Sequence, residues 1–185
     1  PQQSIIVEAE GSFASSAMPQ DPVDWTALSG AELCAIIREA GVVGLGGAAF
    51  PTAVKLSPPS EKKIDTLIVN GAECEPYLTV DDMLMRTFPE AVIEGTRIAL
   101  TALGIRRAVI GVEGNKKEAI AALKKCLAVG HGGESISVHK LRTIYPQGAE
   151  KQLIYSILRR RVPSGGLPMD AGVIVQNAGT LFAVR

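Results

Sequence analysis

The sequence predicts an α/β fold: a mostly parallel sheet with helices on both faces. Short apolar runs of strand type alternate with helical segments of ten or more residues, the order that parallel crossover units require. Hydrophobic residues make up 46% of the chain and aromatic residues only 4%, so the core is built from Val, Ile, Leu and Ala. A length of 185 residues suffices for one ordinary domain with a core of its own.

The elements follow in order. Residues 4–8, Ser-Ile-Ile-Val-Glu, read as a strand left over from a preceding module, and 11–25 as a polar connector containing proline. Ala31 to Ala40 reads as a helix, with Ser29 as N-cap and Gly41 as its stop. A glycine-rich loop comes next, then a solvated turn at Ser57–Lys63 and a strand at Ile64–Val69. Thr87-Phe-Pro-Glu90 has the pattern of a capping box with proline in the first turn. It opens a helix through Leu103, stopped by Gly104. Arg107–Val112 is the next strand. Asn115 with Glu118 caps a helix to Val129, stopped by Gly130. Ser135–Leu141 alternates as a strand, a helix runs from about Gly148 to Arg160, and Gly172–Gln176 is the last strand.

Composition excludes several function classes. Nineteen basic and nineteen acidic residues cancel, so no bulk field favours nucleic acid or an anionic membrane. No apolar run approaches the ~20 residues that span a bilayer, and no signal sequence opens the chain. Cys34, Cys74 and Cys126 are few and widely spaced, as in a reducing compartment, and three cysteines cannot ligate a tetracysteine iron–sulfur cluster or zinc alone. His131 and His139 fall in no metal-ligand or triad spacing and read as structural. A chain that begins at Pro1 and ends at Arg185, inside what reads as a new element, is expected to be a piece of a longer protein.

In parallel sheets the ligand sits outside the carboxyl ends of the strands. Three of those ends carry polar, glycine-spaced residues: Asn70-Gly-Ala-Glu-Cys-Glu-Pro-Tyr77, Thr143-Ile-Tyr-Pro-Gln-Gly-Ala-Glu150 and Gln176-Asn-Ala-Gly-Thr180. The loop Gly41–Thr52 adds Gly44, Gly46 and Gly47 within four positions, with Lys55 after it. Glycines so spaced let the backbone bend with positive φ and present N–H groups to an anion. The loop therefore reads either as a phosphate cradle or as an exposed turn. Gly44-Leu-Gly-Gly-Ala-Ala49 formally fits a dinucleotide fingerprint, but a helix precedes it and Pro51 follows, which is not the strand–helix setting such a fingerprint needs.

Each motif has two readings. Asn70, Glu73 and Glu75 are well placed to accept hydrogen bonds from ribityl or ribose hydroxyls, or else form a solvated turn; the first is favoured. Asp81 and Asp82 read as helix-start residues. Tyr145 could stack on a ring system or be an ordinary loop tyrosine. Asn177 and Thr180 could cap a helix or donate to a phosphate. Pro163-Ser-Gly-Gly-Leu-Pro168 suits a loop over a site or a connector.

Five ordered motifs together resemble one family: Gly-Leu-Gly-Gly-Ala-Ala-Phe-Pro-Thr-Ala-Val-Lys-Leu56, Asn-Gly-Ala-Glu-Cys-Glu-Pro-Tyr77, Tyr-Pro-Gln-Gly-Ala-Glu-Lys-Gln-Leu153, Val-Pro-Ser-Gly-Gly-Leu-Pro168 and Val-Gln-Asn-Ala-Gly-Thr180. That family is the C subunit of the Rnf complex, the ion-translocating ferredoxin:NAD+ oxidoreductase. A more distant likeness is to the FMN- and NADH-binding subunit of respiratory complex I. The resemblance divides the chain into a connector with the end of a preceding module, 1–28, and an FMN/NAD(H)-binding domain, 29–185, of Rossmann-like type. It implies that Gly44, Gly46, Gly47 and Ala48 lie along FMN, with Lys55 at its polar periphery and Asn70 and Glu73 at the ribityl and flavin edge. Tyr145, Gly148 and Glu150 would border flavin and nicotinamide, Asn177 and Thr180 would bind the FMN phosphate, and Phe50 would face the adenine side of NAD(H). No side chain is implied as a catalytic acid, base or nucleophile, and no metal is implied in this segment. The 4Fe-4S clusters of the family belong to other parts of the full-length protein. The implied partners are the other subunits of a membrane electron transport complex and, indirectly, ferredoxin. The implied location is the cytoplasmic face of the bacterial cell membrane, as a peripheral protein.

Three positions depart from the pattern. Ala49 stands where the family has glycine, Ala72 replaces the complex I aspartate, and Ala149 replaces the first of its paired glutamates. The alternatives are a cobalamin reductase of the propanediol-utilisation type, which shares these motifs, and a non-catalytic docking domain that has lost its flavin.

Overall fold

The computed structural model describes residues 23–129 and 134–185. The strand expected at 4–8, most of the connector, the stop at Gly130 and His131 lie outside the described residues. Four parallel strands form the sheet in the order β3-β2-β1-β4: β1 (Thr66–Gly71), β2 (Arg107–Glu113), β3 (Ser135–Leu141) and β4 (Val173–Asn177). Seven α-helices join the described elements: α1 (Gly30–Glu39), α2 (Thr52–Lys55), α3 (Val80–Thr87), α4 (Pro89–Leu103), α5 (Lys117–Ala128), α6 (Glu150–Leu158) and α7 (Ala178–Val184).

Strand residues alternate between two cores, as a period of two requires. Leu67, Val69, Ala108, Ile110, Val112 and Ile174 pack with α1, α4, α5 and α7. Ile68, Leu141, Val173 and Val175 meet Leu153 and Ile154 of α6. The sheet is thus covered on both faces, heavily on one and by α6 on the other. On the crowded face α4 and α7 approach so closely that a Cβ on Gly95 would stand 1.8 Å from the Leu181 carbonyl oxygen.

The chain winds β1→β2→β3 in one direction, then crosses by α6 to place β4 on the far side of β1. The strand order thus reverses across β1 and β4, and the crevice at their carboxyl ends is the switch point where ligands bind in such sheets. Asn70 and Asn177 are register partners there.

Helix ends follow local chemistry in some places and not in others. Ser29 and Glu32 form the full capping box of α1, and Gly41 takes φ 67 just after it. Gly104 ends α4 in the left-handed region. The expected box at Thr87 and Glu90 does not form. Thr87 is instead the last residue of α3, and α4 starts from Phe88 with no side-chain cap. Asn115 is likewise not the cap of α5, which begins after Lys116. The helix expected from about Gly148 starts at Glu150 and ends at Leu158, followed by Arg159 in the left-handed region. The segment Pro163–Pro168 leads into the amino end of β4, opposite the crevice, and so acts as a connector.

Candidate functional site

The glycine loop is closed at its base. Gly44 donates its N–H to the Phe50 carbonyl at 2.8 Å, Thr52 donates to Val42 at 3.1 Å, and Val43 bridges Pro51. Gly46, Gly47 and Ala48 form its exposed tip. Gly47 has φ 111, and Gly46 passes so close to β4 that a Cβ on it would lie 3.2 Å from Asn177 Cβ. The loop is fixed to the crevice by the Leu45 N–H, which donates to Thr180 Oγ1 at 2.9 Å. Thr180 itself is fully buried.

The other side of the crevice is held by a second set of contacts. Asn70 Nδ2 donates to the Gly148 carbonyl at 2.9 Å, and its Oδ1 accepts the Ala72 N–H at 3.1 Å. Gly148 donates its own N–H to Cys74 Sγ at 3.0 Å, and a side chain at Gly148 would collide with that sulfur. Lys55 Nζ donates to Glu150 Oε1 at 2.7 Å and to the Val175 carbonyl at 2.8 Å, tying α2 to α6 and β4. Tyr145 and Phe50 are 84% and 48% exposed, so their rings are available to a partner.

Glu73 points elsewhere. Its carboxylate accepts the N–H groups of Asp81 and Asp82, at 2.9 and 3.3 Å, and pairs with Lys116 at 3.2 Å. It serves as the anion at the α3 N-terminus, which favours negative charge. The structure therefore gathers Gly46, Lys55, Asn70, Gly148, Glu150, Asn177 and Thr180 around the β1/β4 crevice, with Gly44, Gly47, Ala48 and Phe50 in the loop that borders it. Tyr145 is not at this crevice: it lines a cleft of about 310 Å³ beyond β1 and β2 with Glu73, Cys74, Asn115 and Lys116.

Asp81 has a role its local sequence hides. Its carboxylate accepts Asn177 Nδ2 at 2.6 Å and the Gly179 N–H at 3.2 Å, while Asn177 Oδ1 accepts the Thr180 N–H at 3.1 Å. The first turn of α7 is thus clamped to α3. Burial raises the Asp81 pKa above the ordinary carboxylate value, helped by the nearby Glu73 and opposed by the Asn177 and Gly179 hydrogen bonds. Glu113, buried at the end of β2, is raised for the same first reason. The one local signal is the acidic pair at 81–82; the partner of Asp81 lies 96 residues away in sequence.

The crevice suits a flavin mononucleotide. Glu73, Asp81 and Glu150 are each bound to internal donors, which lessens their repulsion of a phosphate. The Gly46–Ala48 backbone lies exposed, and Gln176 Nε2, next to Asn177 on β4, is buried with no protein partner. Buried donors left unpaired are uncommon in folded proteins, and this one lies on the strand that forms the crevice.

The profile of the Nuo51 FMN-binding domain family matches residues 37–185. The chain belongs to this family. Within it, the chain is 47% identical over 182 residues to the C subunit of the proton-translocating ferredoxin:NAD(+) oxidoreductase complex of Clostridium ljungdahlii, covering 98% of this chain and 39% of that protein. It is 54% identical over 145 residues to the C subunit of the Na(+)-translocating ferredoxin:NAD(+) oxidoreductase complex of Acetobacterium woodii, covering 78% and 32%. The chain thus spans well under half the length of these relatives. The fold of this FMN-binding-domain member also matches a chain in the crystal structure of NAD+-reducing [NiFe]-hydrogenase in the air-oxidized state, with a TM-score of 0.68, 25% identity, and coverage of 84% of this chain and 30% of that one. The resemblance read from the five motifs therefore holds at the level of family and fold. No helix among the described residues is long and apolar enough to cross a membrane.

Proposed function

We propose that this chain is the FMN-binding, NAD(H)-oxidising or -reducing part of a membrane-associated electron transport complex, with the domain spanning 29–185 of a longer protein. The observation that carries the reading is the bolting of a bare glycine loop onto the β1/β4 switch point through Leu45 and Thr180. A loop that served only as a surface turn would not need a buried hydroxyl to fix it.

In this reading the Gly46–Ala48 backbone and the Gln176 amide hold the cofactor's polar groups, and Asn70 with Gly148 sets the opposite wall. Lys55 and Glu150 act as a neutral pair at the rim, so neither charge is left to be desolvated alone. Asn177 and Thr180 support the phosphate side, Glu73 fixes the edge through α3, and Tyr145, from the cleft beyond β1 and β2, and Phe50 offer ring faces for the nicotinamide and adenine portions of NAD(H). FMN, when bound, supplies the exchange between two-electron hydride chemistry and single-electron transfer. The protein's own groups bind, orient and exclude water, and none is asked to act as acid, base or nucleophile. Onward transfer would fall to 4Fe-4S clusters elsewhere in the full-length protein, with ferredoxin as an indirect partner. Peripheral attachment to the cytoplasmic face of the membrane, through the complex's other subunits, completes the reading.

Anaerobic addition of NADH to the FMN-loaded full-length protein tests this. Loss of flavin absorbance is the expected result. Unchanged absorbance with FMN demonstrably bound would overturn the NAD(H) part of the reading.

A further inference from the structure

On the face of the sheet covered by α6, a groove of about 230 Å³ runs between that helix and β3. His139, Arg142 and Arg159 line it together with Gln147 and Tyr155, and no carboxylate among the described residues does. In a chain with no net charge, a groove of one sign is a local arrangement rather than a reflection of composition. Among the described residues, Arg142, Arg159 and the neighbouring Arg161 enter no salt bridge. None of these groups belongs to the crevice residues described above.

Two further features show that the charge is organised. The guanidinium groups of Arg159 and Arg161 both lie over the Tyr155 ring, at 5.5 and 5.8 Å from its centroid. The ring thus holds two like charges within cation–π range. Arg159 is also the left-handed residue that ends α6, with φ 58. Glycine or asparagine fits that position without the steric penalty that an arginine meets. Backbone strain of this kind gathers where a side chain is used.

The occupant follows from the strand beside the groove. β3 is the outer strand of the sheet, and no described element pairs with its free edge. An open edge accepts an extended chain through main-chain hydrogen bonds, with alternate side chains falling on one face. We propose that this groove docks an extended acidic segment of a protein partner, laid along β3 with its carboxylates on Arg142, Arg159 and Arg161. A nucleic acid fits less well, because Tyr155 is the only phenyl-type ring among the described residues of the groove and stacking platforms use several.

The test uses the full-length protein and a fluorescein-labelled peptide of alternating glutamate and valine, followed by anisotropy. Saturable, salt-sensitive binding is expected. Arg159→Gly combined with Arg142→Gln should weaken it roughly tenfold without lowering the melting temperature, since glycine relieves the left-handed position. Arg161→Gln, which leaves the helix end intact, should weaken it as well. The proposal is overturned if the variants bind as the parent does, if the peptide does not saturate, or if single-stranded RNA or an alternating lysine–valine peptide binds as tightly.

Discussion

The Leu45 N–H and Thr180 Oγ1 meet at 2.9 Å although 135 positions separate them in sequence, so the glycine loop sits wherever the first turn of α7 puts it. Thr180→Val removes the acceptor but keeps the shape of the side chain. Its expected cost is about 1 kcal/mol of stability, the scale of one lost hydrogen bond, and about a tenfold loss of FMN affinity if the loop drifts. Thr180→Ser should restore both. Denaturant melts and flavin fluorescence titrations check the two effects separately.

Ala49 has φ 49, one of the few left-handed residues in the described chain that is not glycine. The glycine expected there from the family pattern would be free of that strain. Ala49→Gly should therefore raise stability or leave it unchanged, since relief of about 1 kcal/mol is partly offset by a more flexible unfolded chain. FMN affinity should not fall. A thermal melt alongside a flavin titration decides whether this alanine obstructs the site.

Gly95 is the point where α4 and α7 touch. A methyl there would lie 1.8 Å from the Leu181 carbonyl oxygen, so the helices must part. Gly95→Ala should destabilise the protein by about 3 kcal/mol, the upper range of overpacking costs. Because α7 carries Thr180, flavin affinity should fall with it. Urea unfolding gives the first effect and titration the second.

Asp81 makes stability depend on pH in a defined direction. Its pKa is higher in the folded protein than the ordinary 3.8, so the folded state holds this proton more tightly than the unfolded state does. Its contribution is greatest below 3.8 and declines as pH rises through the native pKa. Asp81→Asn, which keeps an acceptor for one of its two partners, should flatten that part of the stability profile. Melts across the acidic range, parent against variant, show whether the slope disappears.

Much of this architecture is legible in the sequence, for local reasons. The strand at Ser135–Leu141 alternates and is found at those bounds, and Ser29 with Glu32 and Gly104 mark helix ends through their own chemistry. Where tertiary contacts decide, sequence reading falls short. Thr87 looks like a cap, but burial of Met85 and Asp82 draws the preceding residues into α3. Lys116, beside the expected cap Asn115, serves instead as the cation facing Glu73. The glycine loop, Asn70, Gly148 and Asn177 come from segments the sequence marks, and the structure brings them to one crevice. What Lys55, Glu73 and Asn177 touch there cannot be read locally, because their partners are 95, 43 and 96 residues away.

Held against Asn177 at the β1/β4 switch point, the glycine loop is proposed as a flavin cradle. Titration of the full-length apoprotein with FMN, followed by flavin fluorescence, decides this, with Gly46→Val as the variant, since even a Cβ at that position stands 3.2 Å from Asn177. Saturable quenching by the parent protein, weakened at least about tenfold in a variant that melts normally, is the predicted result. No saturable quenching by the parent, or equal affinity in the variant, would contradict it.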